Sequence, residues 1–589
     1  MRPSTSNDYY RNGLPYSNSF KAHTGCVNAV TYSKTNGSSS PLFPSHSARI
    51  MASGGDCTTV YLWDLYREFE DATPIHAFSG PTVRLLRVSL VLSLKRKQRN
   101  IFGLEFNSTD DVLYCGSNDS VIYKYNLNQD NLDIFSTTAS SHRDRLDSIP
   151  KHPPSSTQSS HGSSISQISA HPIHPSLILS ASADDEMQLT DERIDGTGNI
   201  GTFHTESEWR DVKWHPTSEH LFGSCDSRGG VYLNDIRKGF EGLNMASGSF
   251  ERAVNPFVRD MTVMQYKATV SRKDTHKHIK LDSSSIAFNN TGELFAVVYQ
   301  HWYPTIYSIT EPNPLAILTG EYTPQGAKVQ PGERTYSTSC TTKHCSFRDD
   351  YLATGSDDFK GYVWKIPPAS RMKEGRIEKT QEEMDESTQF GDHEAGFSTS
   401  QEDGISLPTV VNRPAFRLEG HASIVNSAMI HPTLPLIATS GVEKIVRMHT
   451  PTPFSNSLEV KKTPASRVMG QNETRNSRRD FLLALLTSPH EHDAADVEED
   501  TLTINFFDSL LRRDEENDLW DNADSDDADD MERHMNDVLM EFGETDEEDE
   551  EDDDDIDDDD MGVAMVGASD GEQSQESEES IDIDEAYPV

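Results

Sequence analysis

One structural unit recurs along the first 455 residues of the chain. Each copy contains an apolar strand, a turn, a second strand rich in Ala, Ser, Thr and Gly, an acidic turn and a third strand. A unit of this size cannot bury its own apolar face, so neighbouring copies must pack on one another. Seven copies are present, and their third strands end at Trp63, Tyr125, Thr190, Asn234, Tyr307, Trp364 and His449.

The repeat predicts an all-β fold, a seven-bladed β-propeller of WD repeats at residues 21–455. The small residues of each second strand allow neighbouring sheets to approach closely near a central channel. In a WD repeat the third strand ends in Trp-Asp, as it does at Trp63 and Asp64. The acidic residue of the preceding turn can pair with a histidine at the entrance of its blade, which predicts the pairs His23–Asp56 and His421–Glu443.

Composition divides the rest of the chain. Residues 1–20 are polar, which predicts a flexible N-terminus, and residues 136–163 and 370–412 predict long solvated loops within the propeller. Residues 456–543 are predicted to form a linker with short amphipathic helices. The net charge of −45 arises mostly from the last hundred or so residues. Residues 544–589 predict an acidic, disordered tail, because such a charge density opposes a packed core.

The segment from Thr82 to Gln98 fits the repeat poorly. It joins an apolar stretch, Leu85 to Leu94, to three basic residues between the first and second copies. The apolar stretch is far shorter than the roughly 20 residues that cross a bilayer, so no membrane segment is predicted. Two interpretations of the whole segment are open, an outer strand or a gene-model error such as a retained intron. We favour the second as a hypothesis.

No motif of a known enzyme class is present. The sequence has no phosphate-binding glycine loop, no HExxH and no GxSxG. Cys340, His344 and Cys345 have no further ligand at zinc spacing, and neither do His276 and His278. We therefore predict that the protein is not an enzyme and holds no metal or cofactor. Reduced cysteines in a chain without a secretory signal predict a location in the nucleus or cytoplasm. Histidines recur directly before a turn in three copies, as His171 with His174, as His215 and as His431, which predicts a role in the turn.

The third and fourth copies end in the same pattern, Asp-x-Arg. The pattern comprises Asp191 with Arg193, and Asp235 with Arg237. Residues two apart along a strand point to the same side, so each carboxylate can orient the neighbouring guanidinium. Two interpretations are open. Either the pairs are salt bridges within their own blades, or they form one edge of the propeller that docks the carbonyl and carboxylate groups of a partner.

Two further features follow the repeat. Phe506, Phe507, Leu510 and Leu511 fall on one face of a predicted helix, which either packs on the propeller or binds a partner. The acidic tail either keeps the protein soluble or contacts basic proteins such as histones. A chromatin-binding or assembly scaffold therefore stays open as a functional class.

Several segments resemble one family of WD-repeat proteins: GCVNAVTYS, SGGDCTTVYLWDL, GSDDFKGYVWKIP and, outside the repeat, FFDSLLRRD. The chain is similar to the substrate receptors that associate with damage-specific DNA-binding protein 1, the adaptor of cullin-4 ubiquitin ligases. The resemblance implies a non-catalytic receptor that docks on the adaptor through both Asp-x-Arg pairs and presents a protein substrate. Thr190 and Asn234 depart from the family pattern, which has tryptophan there. We expect neither a membrane nor direct contact with nucleic acid.

Overall fold

The computed structural model describes residues 13–34, 50–65, 76–79, 100–127, 151–159, 161–194, 198–239, 257–258, 261–272, 278–330, 333–380, 382–383, 395–399, 404–451 and 458–459. Thr82 to Gln98, the predicted helix with Phe506 and Phe507, and the acidic tail lie outside these residues, so their interpretations stay predictions. In the described part of the chain, no helix is long and apolar enough to cross a membrane.

Seven sheets form the blades of the propeller, and each takes four strands in antiparallel order. Blade one consists of β2 (Val27–Tyr32), β3 (Ile50–Gly55), β4 (Thr59–Asp64) and β5 (His76–Ser79), and blade two of β6 (Ile101–Phe106), β7 (Val112–Ser117), β8 (Val121–Asn126) and β10 (Ser156–Ser159). Blade three consists of β11 (Ile165–Ala170), β12 (Leu177–Ser182), β13 (Glu186–Asp191) and β14 (Asn199–His204), and blade four of β15 (Trp209–Trp214), β16 (Leu221–Asp226), β17 (Val231–Asp235) and β19 (Thr262–Gln265).

The remaining three blades follow the same plan. Blade five consists of β22 (Ser283–Phe288), β23 (Leu294–Tyr299), β24 (Thr305–Ser308) and β25 (Ala316–Leu318), and blade six of β26 (Cys345–Arg348), β27 (Tyr351–Gly355), β28 (Gly361–Lys365) and β33 (Phe416–Leu418). Blade seven consists of β34 (Val425–Ile430), β35 (Ile437–Gly441), β36 (Ile445–Thr450) and β1 (Tyr16–Lys21). The predicted seven-bladed WD-repeat propeller is therefore confirmed.

The beginning of the described chain closes the ring. β1 pairs antiparallel with β36, from Tyr16 opposite Thr450 to Lys21 opposite Ile445, so blade seven combines both ends of the repeat. The first strand of each blade contacts the first strand of the next, and β2 of blade one contacts β34 of blade seven. The propeller therefore begins at Tyr16, whereas the sequence analysis assigned residues 1–20 to a flexible N-terminus.

The core lies between the blades. Every residue of the second strands β3, β7 and β12 is buried, because each of these strands packs against a neighbouring blade. Small residues make this packing possible. A Cβ atom added at Gly54 would lie 2.9 Å from Ile101 of blade two. Large side chains fill the remaining space, and Trp63, Trp209 and Trp364 are fully buried.

In the described part of the chain, insertions in three blades contribute a strand that pairs with the sheet of the preceding blade. Insertions after the third strands of blades two, four and six supply β9 (Lys151–His152), β18 (Phe257–Val258) and β32 (Thr409–Val411), which pair parallel with β5, β14 and β25. In blade seven, β37 (Leu458–Glu459) pairs with β1. These additions cover sheet edges that would otherwise expose unpaired backbone groups. The predicted loops 136–163 and 370–412 thus contain strands.

An eighth sheet joins two insertions that are distant in sequence. Its order is β21 (His278–Lys280), β20 (Thr269–Arg272), β30 (Ala395–Ser398), β31 (Gly404–Leu407) and β29 (Ile377–Thr380). Val270 and Phe397 pack in one apolar cluster with Phe295 and Tyr307 of blade five, so the sheet is anchored on that blade. The two described helices are α1 (Ile236–Gly239) and α2 (Ala369–Gly375). The sequence analysis did not predict this sheet, because its strands lie in segments rich in charged and polar residues.

Candidate functional site

The two Asp-x-Arg patterns occupy equivalent positions in neighbouring blades. Asp191 is the last residue of β13 and pairs with Leu177, the first residue of the second strand of blade three. Asp235 is the last residue of β17 and pairs with Leu221, the first residue of the second strand of blade four. Because the blades repeat the same strand order around the ring, both patterns lie at the same face of the propeller.

Each aspartate holds its arginine through two oxygens. The Nη2 atom of Arg193 lies 2.6 Å from Oδ2 of Asp191, and its Nε lies 2.9 Å from Oδ1. The same two distances between Arg237 and Asp235 are 2.6 and 3.0 Å. In both pairs the arginine backbone N–H also donates to Oδ1. The sequence prediction that each carboxylate orients its guanidinium is therefore confirmed.

Burial differs sharply between the two members of each pair. The carboxylate of Asp191 is fully buried, while 45% of the Arg193 side chain is exposed; for Asp235 and Arg237 the exposed fractions are 10% and 60%. The hydrogen bonds from Arg237 lower the pKa of Asp235, and both arginines have a raised pKa because of their aspartates. Both guanidinium groups therefore remain charged at neutral pH, and the buried carboxylates position them.

Other hydrogen bonds replace those of the missing tryptophans. In blade one, the indole N–H of Trp63 donates to Ser53 Oγ at 2.8 Å. In blade four, the side-chain amide of Asn234 donates to Ser224 Oγ, also at 2.8 Å. Thr190 accepts a hydrogen bond from a glutamine on β10 of blade two. The departures from the family pattern thus preserve the strand ends that carry both Asp-x-Arg pairs.

Of the two predicted pairs between a blade-entrance histidine and an acidic turn residue, one is present and the other is not. Nδ1 of His421 forms the predicted hydrogen bond with the Glu443 carboxylate, and both side chains are buried. The predicted pair of His23 with Asp56 is wrong. Nδ1 of His23 instead lies 3.0 Å from Cys57 Sγ, and Asp56 accepts a hydrogen bond from an asparagine side chain. In blade one, Cys57, the residue after Asp56, therefore takes the place of the acidic partner of His23.

The sequence analysis missed two similar contacts. Nδ1 of His161 lies 3.1 Å from Asp184 in blade three, and Nζ of Lys343 lies 2.5 Å from Asp357 in blade six. Within the described ranges, one group offers three potential metal ligands within 4.8 Å of one another, namely His161, Asp184 and Glu186. Both ring nitrogens of His161 are hydrogen-bonded, one to Asp184 and one to a serine hydroxyl. The group therefore acts as a structural contact of its blade.

The recurrent histidines hold turns and join blades. Nδ1 of His171, His215 and His431 accepts hydrogen bonds from the backbone N–H groups two and three residues further along. Nε2 of His171 then donates to the carbonyl oxygen of Glu219 in the next blade, at 3.0 Å. Burial lowers the pKa of His171 to about 4, so its ring is neutral at physiological pH. The predicted role of these histidines in the turn is confirmed.

The comparisons with known proteins agree with the fold. A family model described as "WD domain, G-beta repeat" matches residues 15–64, which contain β1 to β4. The chain is thus a WD-repeat β-propeller protein. Over 510 residues, or 85% of its length, it is 25% identical to DDB1- and CUL4-associated factor 5 of Mus musculus, and equally to that of Homo sapiens. The matched region spans 40% of each relative. The resemblance drawn from the sequence is therefore confirmed.

Proposed function

We propose that the protein is a substrate receptor of a cullin-4 ubiquitin ligase and that it docks on the adaptor DDB1 through Arg193 and Arg237. The observation that supports this proposal most is the repeated geometry of the two Asp-x-Arg pairs on neighbouring blades. The names of the two relatives supply the partner, because both are called DDB1- and CUL4-associated factors. In this assembly the propeller acts as a non-catalytic scaffold, and other subunits transfer ubiquitin.

The arrangement suits docking because the arginines are oriented before a partner arrives. A planar guanidinium offers several donors to carbonyl and carboxylate groups, and a fixed orientation reduces the entropy lost on binding. The hydrogen bonds to Asp191 and Asp235 provide this orientation. The carboxylates are buried, but much of each guanidinium group is exposed and open to a partner. Two arginines held in the same way at one face are therefore suited to binding.

The proposal predicts that the double variant Arg193→Ala and Arg237→Ala recovers at least about tenfold less DDB1 than the wild-type chain. Arginines oriented within an interface are frequent hot spots, and loss of about 1.4 kcal/mol corresponds to a factor of ten. Tagged full-length chains are expressed in cells, and co-purified DDB1 and cullin-4 are quantified by mass spectrometry. Cullin-4 is expected to fall in parallel with DDB1.

Arg210→Ala serves as the matched control. Arg210 lies on β15 of blade four and forms an ion pair with Glu208 at 3.2 Å, in which 38% of the arginine side chain is exposed. Its side chain is thus exposed to a similar extent as that of Arg193, but it lies on the first strand of its blade and pairs with an exposed acid. The proposal fails if the wild-type chain recovers no DDB1, or if the double variant recovers as much as the control.

A further inference from the structure

Three large apolar side chains are exposed in the described part of the chain. They are Ile173, Val263 and Ile377, with exposed fractions of 49%, 47% and 44%. Exposed apolar side chains that lie together beside polar groups mark interaction surfaces more often than scattered ones do. Ile173 and Val263 lie in segments that are connected by hydrogen bonds to the two Asp-x-Arg pairs, whereas Ile377 lies on the eighth sheet.

The turn that carries Ile173 is connected by hydrogen bonds to the segments of both arginines. It is in the turn that joins β11 to β12, and the last residue of that turn, Ser176, accepts a hydrogen bond from the backbone N–H of Glu192 at 3.0 Å. On its other side, the turn reaches blade four through His171, which donates to the carbonyl oxygen of Glu219. The residue after Glu219, His220, accepts a hydrogen bond from the N–H of Ile236, next to Arg237. A continuous series of hydrogen-bonded segments therefore connects Arg193, Ile173 and Arg237.

Val263 extends the same surface beyond Arg237. It lies on β19, the fourth strand of blade four, and Met261, directly before this strand, accepts a hydrogen bond from the N–H of Asp235 at 2.9 Å. Lys238 donates to the carbonyl oxygen of Thr262 at 2.7 Å. Val263 is thus held next to a second cationic side chain, and the described strands leave the outer edge of β19 uncovered.

The charge of this surface favours a different protein over a second copy of the chain. The exposed polar groups of this surface are mainly the donors of Arg193, Arg237 and Lys238, because Asp191 and Asp235 are buried beneath the arginines. The acidic residue between Asp191 and Arg193, Glu192, is paired with Lys124 of blade two at 2.6 Å. A second copy of the chain would present the same donors, so it complements this surface poorly. A partner that presents carboxylate or carbonyl groups around an apolar pocket complements it.

We infer that Ile173 is the apolar centre of the docking surface, that Val263 extends it, and that the adaptor covers both. This inference rests on the proposed function and adds the residues that supply apolar contact. Arginines that orient a complex give specificity and association rate, while buried apolar contact at the centre slows dissociation. The partner surface is therefore an apolar pocket bordered by acidic or carbonyl groups that receive Arg193 and Arg237.

The test measures the dissociation constant of purified full-length chain for purified DDB1 by biolayer interferometry. Ile173→Asp places a carboxylate in the pocket and is expected to weaken binding at least about tenfold. Ile377→Asp is the matched control, because Ile377 is equally exposed but lies on the eighth sheet, and it is expected to bind within about twofold of wild type. Thermal unfolding of both variants should match wild type, since neither side chain is buried.

A third variant separates this inference from the proposed function. If wild-type chain does not bind DDB1, both fail. If the Arg193→Ala and Arg237→Ala variant binds weakly while Ile173→Asp binds like wild type, only the apolar centre is wrong. If Ile377→Asp weakens binding as much as Ile173→Asp, the loss is not specific to this surface and the inference is also wrong.

Discussion

Replacement of Lys343 by methionine is expected to destabilise the propeller by about 3–5 kcal/mol, the usual cost of leaving a buried charge without its partner. Lys343 and Asp357 are 0% and 1% exposed, and the ammonium also donates to the backbone carbonyl of Thr341 at 2.9 Å. Methionine has a similar volume but no charge, so it would leave the Asp357 carboxylate buried without its cation. Chemical denaturation of the full-length chain measures the change in the free energy of unfolding.

Lys373→Met provides the comparison for this prediction. Lys373 forms an ion pair with Glu311 at 2.7 Å, but 46% of its side chain is exposed, and Glu311 keeps a second partner in Arg376. Its loss is therefore expected to cost only about 0–1 kcal/mol. Equal destabilisation by the two lysine replacements would show that the buried pair of blade six contributes no more than a surface pair.

Replacement of Gly355 by alanine is expected to destabilise the protein by about 3 kcal/mol, at the upper end of the usual cost of overpacking. Gly355 ends β27 of blade six. A Cβ atom added there would lie 2.0 Å from the backbone carbonyl oxygen of Val425 in blade seven. A backbone atom cannot rotate away as the end of a flexible side chain can, so the two blades would have to separate. The loss is measured as a lower denaturant midpoint.

Gly162→Ala is the corresponding control. Gly162 lies at the entrance of blade three, where the nearest atoms to an added Cβ belong to the Asp184 side chain, at 3.7 and 3.8 Å. These are ordinary van der Waals distances, so this variant is expected to change stability by less than about 0.5 kcal/mol. A Gly355→Ala protein as stable as the Gly162→Ala protein would contradict the close approach of blades six and seven.

The sequence predicted the blades well because each strand has its own local pattern. Apolar strands, small residues in the second strand and turns with acidic residues repeat at every copy, and each copy needs its neighbours for burial. The same regularity located Asp191 and Asp235 at equivalent strand ends. The pairing of β1 with β36 was not predicted, because it joins residues more than 400 positions apart and nothing in YSNSFK specifies its partner.

Contacts that depend on three-dimensional proximity were also missed. Histidine was the expected partner of the acidic turn residue, so the pairing of Lys343 with Asp357 in blade six was not predicted. The exposure of Ile173 could not be predicted, because HPIHP resembles the HPTLP turn of blade seven, in which Leu434 is partly buried. The strands of the eighth sheet are only three or four residues long, and the sheet is stabilised by packing on blade five rather than by a strand pattern of its own.

The central claim is that blades three and four present one docking face to DDB1. Amide hydrogen exchange of the full-length chain, with and without purified DDB1, tests it most directly. The account predicts slower exchange on binding at 171–176, 191–194 and 235–239, with blades six and seven unchanged. Protection confined to other blades, with these three segments exchanging as in the unbound chain, would contradict it.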